Sequence, residues 1–207
     1  MNHFENLIYE EIKSSLLSKI QKPVEQIYAL SFFIYDMDDN PLIPTLKVGY
    51  NTEDQVKANL KHSSSADEAR WNYAFWLQNE ITAIGPYDSR KNMALYEAYS
   101  EWLRDLKIHF TADQLDDLQD EAEENEDEEE LDRLEDAMTL VSTQFLSLCG
   151  RISLRLHEDG VIKKALGREV PILLHELEYY DRIAEQTKKA NPARLANDFY
   201  NWVMGKY

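Results

Sequence analysis

Two apolar runs on either side of a polar turn form the clearest pattern in the chain. Over Ile27–Tyr35, Tyr28, Leu30, Phe32 and Ile34 fall on one side of an extended chain, with Ile27, Ala29, Phe33 and Tyr35 on the other. A strand that is apolar on both faces is covered on both, so this one is expected at the centre of a sheet. Asp36 to Pro41 is a turn by composition. Leu46, Val48 and Tyr50 then alternate with Thr45, Lys47 and Gly49, the period of a half-buried strand. Pro44 has no N–H to give a ladder, so the start of this second strand is expected to be an edge or irregular.

Helical spacing surrounds that unit. Phe4, Leu7, Ile8, Ile12, Leu16 and Ile20 make one apolar face behind Asn2, with Glu5 in the capping-box position and Pro23 ending the run. Thr52 with Gln55 is a second capping box, opening a short helix with Val56 and Leu60 inward. His62 to Asp67 reads as a loop. Arg70–Ile81 fits two periods: Trp71, Tyr73 and Phe75 alternate, while Trp71, Phe75 and Trp76 suit a helix. After Gly85-Pro86, a helix is predicted from Asp88 or Ser89 to about Ile108, with Met93, Tyr96, Tyr99, Trp102, Leu103 and Leu106 on its stripe.

Thr111 and Gln114 open the next helix. Leu131, Leu134, Met138, Val141, Phe145, Leu148 and Ile152 then follow at alternating intervals of three and four. This heptad-like seam runs on to Leu156, with Gly160 as its stop. Leu115, Leu118 and Ala122 lie in another phase, and Glu123–Glu130 holds no apolar residue. Two helices, or one helix and a solvated lobe, are therefore expected. Val170–Leu177 reads as a further strand, with helix as the alternative, and Asn191-Pro192 as the cap and first turn of a last helix carrying Leu195, Phe199, Trp202 and Val203. The fold class that follows is α+β: a small, mostly antiparallel sheet covered by amphipathic helices, helix-rich in its second half, in one domain over 1–207.

Charge changes this picture at one place. Fifteen acidic residues and Arg133 give −14 between Asp113 and Asp136, so the rest of the chain carries −17 − (−14) = −3. The acidity is a property of one lobe, at about 113–136, and is to be explained there. No basic stripe is present to neutralise phosphates, which argues against nucleic acid as a partner. No apolar run approaches the roughly 20 residues of a membrane span. The N-terminal stretch is acidic and lacks the apolar region of a signal peptide, so a cytoplasmic protein is expected. The single cysteine, Cys149, sits in an apolar pattern and reads as a small buried hydrophobe.

Sites of chemistry are few. Asp36, Asp38 and Asn40 match the first three ligand positions of a calcium loop, but Pro41 stands where glycine is required and Lys47 where a bidentate glutamate is. A plain hairpin turn is the better reading. His3, His62, His109, His157 and His175 are scattered without zinc-site spacing. His175 with Glu176 and Glu178 could in principle build a carboxylate–imidazole site, though a structural histidine fits the pattern better. No cofactor, metal or catalytic residue is expected, and the balance leans away from an enzyme.

Several stretches resemble a known family. The strand–turn–strand running into Asn51-Thr52-Glu53, Arg70-Trp71 with Trp76, the helix end at Glu158-Asp159-Gly160 and the late Asn191-Pro192 are similar to the mainly bacterial domain-of-unknown-function family 4303. The resemblance implies a single α+β domain and supplies no activity or catalytic residues to carry over. The acidic stretch at Glu121–Glu130 departs from the family pattern. Related small acidic bacterial proteins lie near toxin genes as immunity proteins, an analogy at fold level.

Three functions are weighed on these grounds. The leading one is a non-catalytic binding protein, immunity-like or regulatory, that captures a basic protein partner through Glu123, Glu124, Glu126, Asp127, Glu128, Glu129 and Glu130. An enzyme of unrecognised type, with a groove at Trp71, Trp76 and His175, is the second. An assembly protein dimerising through the Leu131–Ile152 seam is the third, so the chain is expected to be a monomer or a homodimer.

Overall fold

The computed structural model describes residues 2–20, 23–86 and 92–206. In chain order the elements are α1 (His3–Lys19), β1 (Ile27–Asp36), β2 (Pro44–Thr52), α2 (Glu53–Asn59), α3 (Ala66–Trp71), β3 (Thr82–Ile84) and α4 (Met93–Asp105). There follow α5 (Ala112–Glu124), α6 (Glu128–Glu158), α7 (Val161–Leu166), β4 (Ile172–His175), α8 (Asp181–Lys189) and α9 (Asn197–Val203). The strands form one mixed sheet in the order β3-β2-β1-β4. β2 is antiparallel to β1 and β3, and β4 is parallel to β1. The fold is α+β, and the long apolar strand is central.

The two faces of the sheet carry unequal cores. Leu30, Phe32 and Ile34 of β1, with Leu46, Val48, Ile172 and Leu174, face a large cluster built with α1, α4, α6 and α7. Ala29, Leu173 and Phe33 belong to a smaller aromatic cluster with Trp71, Tyr73, Trp76 and Phe199. The first two residues of β1 depart from strict alternation. The register with β2 slips between Ile27 and Ala29, and this bulge puts Ile27 in the large core and Tyr28 in the small one. An extra residue reverses the facing of everything before it, which a period-two reading of the sequence misses.

β2 is an interior strand along Leu46–Val48, where β3 covers it, and among the described residues none pairs with it on that side at Pro44. Proline is therefore tolerated at its first position. Further along, the chain crosses β2 very closely. A Cβ on Gly49 would lie 2.6 Å from the Asn79 carbonyl oxygen and 2.8 Å from Asn79 Oδ1, the atom that accepts from Tyr50 N–H at 2.9 Å. Gly49→Ala is expected to cost about 1–3 kcal/mol as an overpacked contact. The urea midpoint checks this, and an unchanged midpoint would show that the 77–81 segment yields without cost.

Other expectations are corrected locally. Asn2 caps α1, but Glu5 is turned inward, 2% exposed, and pairs with Arg151 of α6 at 2.8 Å rather than reaching back to the cap. Thr52 caps α2 and Val56 is buried, whereas Leu60 is exposed. Arg70–Ile81 is neither one strand nor one helix. It is the end of α3, a 3-10 turn over Tyr73–Phe75, and an irregular segment leading to β3. The start expected at Asp88 or Ser89 lies outside the described residues, and α4 is capped by Asn92 with Met93 exposed. Asn191 caps no helix, because its side chain is buried against β4.

The heptad-like seam is a core stripe. Leu134, Val141, Phe145, Leu148, Ile152 and Leu156 of α6 are fully buried in the chain's own large core. Those side chains are covered within one molecule, so they offer no face to a second copy. Cys149 is buried beside them, and burial pushes its thiol pKa up, keeping it protonated.

β4 would end the sheet with an open edge. Its neighbour β1 takes one set of main-chain groups, as where Leu30 N–H donates to the Pro171 carbonyl. Alternation turns the groups of Ile172 and Leu174 the other way. There α8 and the turn after it supply side chains. Asn191 Oδ1 accepts from Ile172 N–H and Asn191 Nδ2 donates to Ile172 C=O, both at 2.8 Å. Thr187 Oγ1 accepts from Leu174 N–H at 3.1 Å and donates to Leu174 C=O at 2.9 Å. Two side chains thus stand where a fifth strand would pair and close the edge.

Candidate functional site

The acidic lobe is a helical hairpin. α5 begins at Thr111, where Gln114 Oε1 reaches back to accept from Thr111 N–H at 3.0 Å, and ends at Asn125. Glu126 takes the left-handed conformation, φ 54°, to reverse the chain. Asp127 then caps α6, its Oδ1 accepting from Glu130 N–H at 3.1 Å. Three glutamates, Glu128–Glu130, fill the first turn of α6, where the helix dipole favours negative charge. The hairpin is held by a narrow apolar strip: Leu115 and Ala122 of α5 are buried, and Leu115 joins Leu134 in the large core. Asn40 Nδ2 also donates to the Ala112 carbonyl at 3.2 Å, fastening the turn after β1 to the base of α5.

All seven residues of the expected docking surface sit at the hairpin's tip. Glu123, Glu124, Glu126, Asp127, Glu128 and Glu129 are exposed, and Glu130 is half-buried. Among the described residues the ion pair formed within the block is Glu130 with Arg133, at 2.5 and 2.7 Å. The Arg133 guanidinium lowers the Glu130 pKa. The other six carboxylates stand in solvent on an ordered scaffold, so their field is local and directional.

Trp71, Trp76 and His175 do come together, inside the smaller core. They are 7%, 4% and 1% exposed, so they fill space rather than line an open groove. The Trp76 and His175 rings lie 6.1 Å apart in edge-on contact, and Phe33 stacks on His175 at 5.4 Å. The polar tips are satisfied by a knot of bonds. Trp76 Nε1 and Tyr28 Oη both donate to the Arg70 carbonyl, and Arg70 holds Glu53 through two bonds of 2.6 and 3.0 Å. Tyr179 Oη accepts from Tyr73 N–H and donates to the Trp71 carbonyl. His175 Nδ1 lies 3.0 Å from the Glu176 carbonyl and Nε2 lies 2.7 Å from Ser31 Oγ. A neutral imidazole donating to the carbonyl and accepting from the serine satisfies both contacts. Burial pushes the His175 pKa down to about 4, so the ring is a poor base near neutrality.

A cleft opens where the parallel strands end. Beyond the last β1–β4 pair, Phe33 with His175, the two chains diverge around a space of about 690 Å³. Phe33, Phe145 and Leu177 give it apolar walls, and Asp36, Asp39, Glu176 and Glu178 bring carboxylates, with Arg182 as the cation among the described residues. Tyr180 Oη donates to Glu176 Oε1 at 2.8 Å. Burial, and then the nearby charges of Glu176 and Asp39, raise the Asp36 pKa. Open α/β sheets place ligands outside the carboxyl ends of parallel strands, and this cleft has that position. Sequence reading missed it because Asp36 and Glu176 are brought together only by the parallel pairing of β1 and β4. The one local signal was an acidic residue at the end of each strand, Asp36 as the last residue of β1 and Glu176 directly after β4.

In the Asp36, Asp38 and Asn40 stretch the Asn40 side chain serves the turn, its Oδ1 accepting from Leu42 N–H at 2.9 Å. Among the described residues no group of three or more His, Cys, Asp or Glu side chains is placed to hold a metal ion. No helix among the described residues is long and apolar enough to cross a membrane. Comparison with protein-family models, with curated proteins and with solved structures finds no match to the chain.

Proposed function

We propose that the chain is a binding protein that captures a basic protein partner on the tip of the α5–α6 hairpin. The observation that carries this reading is the hairpin itself. It concentrates −14 of the net −17 on a helical scaffold whose carboxylates, among the described residues, have one cationic partner, Arg133, which holds the half-buried Glu130. Fixed carboxylates steer a cationic partner and lower the entropy lost on docking, compared with a floppy acidic tail. An immunity-like role, reached by analogy with small acidic bacterial proteins, is one form of this reading.

The test keeps the helices and removes the charge. Replacing Glu123, Glu124, Glu126, Glu128, Glu129 and Glu130 by glutamine, and Asp127 by asparagine, retains the turn and the cap. Capture of a basic partner from the native cell is expected to weaken at least tenfold at low salt, and the salt dependence of capture is expected to flatten, because exposed charges act within about one Debye length. Unchanged affinity with unchanged salt dependence would remove the hairpin from the function.

A further inference from the structure

The cleft at the ends of β1 and β4 continues toward the hairpin. A second, shallower groove shares Ser142 and Arg182 with it and follows α6 to Glu135, a member of the acidic block. Cleft and hairpin are thus two ends of one track along α6. The cleft's charges are unbalanced in a particular way. Arg182 is already engaged, its Nη1 donating to Thr143 Oγ1 at 3.3 Å and its guanidinium lying 5.9 Å from the Tyr180 ring centre. The half-buried Asp36 carboxyl receives no hydrogen bond or ion pair from a described residue. Below it are aromatic walls, and beside it is Glu176.

We propose that this cleft receives an arginine side chain presented by the basic partner of the hairpin. The inference rests on the binding reading above and names what that partner must carry. An arginine has the right division of chemistry. Its methylene stem covers the apolar wall formed by Phe33 and Leu177, and its planar guanidinium forks toward Asp36 and Glu176. A lysine ammonium can also donate to two carboxylates, but it is a compact, strongly hydrated point charge with no planar face to lie on the aromatic wall and no fork to match two separate carboxylates. A bare metal ion is a poor fit, because the carboxylates do not converge on a point. Cation capture also relieves the mutual repulsion of Asp36, Asp39 and Glu176, which are crowded before any ligand arrives.

Two probes separate the cleft from the hairpin: N-acetyl-arginine amide, which reaches only one site, and deca-arginine, which spans both. Titrating the isotope-labelled protein with N-acetyl-arginine amide is expected to move the backbone amide resonances of Asp36, Glu176 and Leu177 and to leave 123–130 still. The uncharged isostere N-acetyl-citrulline amide should move none of them. Asp36→Asn with Glu176→Gln is expected to weaken the arginine probe at least tenfold. Neutralising the hairpin tip should leave the arginine probe unchanged and weaken deca-arginine at least tenfold. Equal shifts with citrulline, or no shifts in the cleft, overturn the cleft proposal. Deca-arginine binding that ignores the hairpin variant overturns the hairpin reading alone. The resonance map uses the unaltered protein, so the result stands even where the double variant folds poorly.

Discussion

Replacing Asn191 by leucine is expected to lower the free energy of unfolding by about 3–5 kcal/mol, since each buried polar group left without a partner costs about 1–3 kcal/mol. Four contacts are lost at once. Ile172 N–H loses its acceptor and Ile172 C=O its donor. The Thr187 carbonyl loses a donor at 2.7 Å, and His157 Nε2 loses a partner at 3.2 Å. Asn191 is 5% exposed, so little water can take the amide's place. Marginal stability of about 5–15 kcal/mol makes this a large share of the total. Thr187→Val is the graded companion, expected to cost about 1–3 kcal/mol because it orphans Leu174 N–H and C=O alone. Urea unfolding at neutral pH gives both values. A loss below about 1 kcal/mol for the asparagine variant would mean that the β4 edge opens to solvent without cost, and the edge-closing role would be withdrawn.

That edge also marks a limit of reading the sequence. Asn191 followed by Pro192 has the local signature of a helix cap, and local signature is all that sequence supplies. The residue is drawn instead to a strand about twenty positions earlier, because among the described residues no fifth strand meets the outward main-chain groups of β4. The same competition explains Glu5. Its position fits a capping box, yet Arg151 of α6 reaches it and wins. Features set by one element's own periodicity were legible: β1, α1, α6 and the break between α5 and α6 in the acidic block. The heptad-like seam of α6 was legible as an apolar stripe. Its burial partner was not, because helix spacing is the same whether the stripe meets another chain or its own sheet.

The candidate sites divide on the same line. The acidic tip is contiguous in sequence, so all seven residues could be named from the chain alone. The cleft is made of Asp36 and Glu176, 140 positions apart in number, and nothing in either neighbourhood marks the other. Trp71, Trp76 and His175 do gather, as their apolar surroundings suggested, but gathering aromatic rings in an α+β chain ordinarily makes a core. The bulge at Ile27–Ala29 shows how small a change alters such a cluster. It sends Tyr28 to the aromatic side, where its hydroxyl joins Asn51 and the Arg70 carbonyl.

The aromatic core makes stability depend on pH in a definite direction. In the unfolded chain His175 titrates near 6.5, whereas in the folded protein burial holds it at about 4. Between those values the unfolded state binds a proton that the folded state refuses, so stability rises with pH across this window and falls as acid is added. Above about pH 6.5 the residue contributes no slope. At pH 4.5 the accumulated loss is about 2–3 kcal/mol, from about 1.36 kcal/mol per pH unit over most of the window. One other group acts oppositely: Asp36, with its raised pKa, is relieved by protonation, so the wild-type curve alone will not isolate the histidine. The comparison that does so is Ser31→Ala with His175→Phe, which replaces the hydrogen-bonded pair at 2.7 Å by apolar groups of similar shape. Between pH 7.5 and 4.5 the wild type is expected to lose about 2–3 kcal/mol more than this variant in urea unfolding. An equal loss in the two proteins would show that the imidazole is charged, or reached by water, in the folded state, and the closed aromatic core around His175 would have to be abandoned.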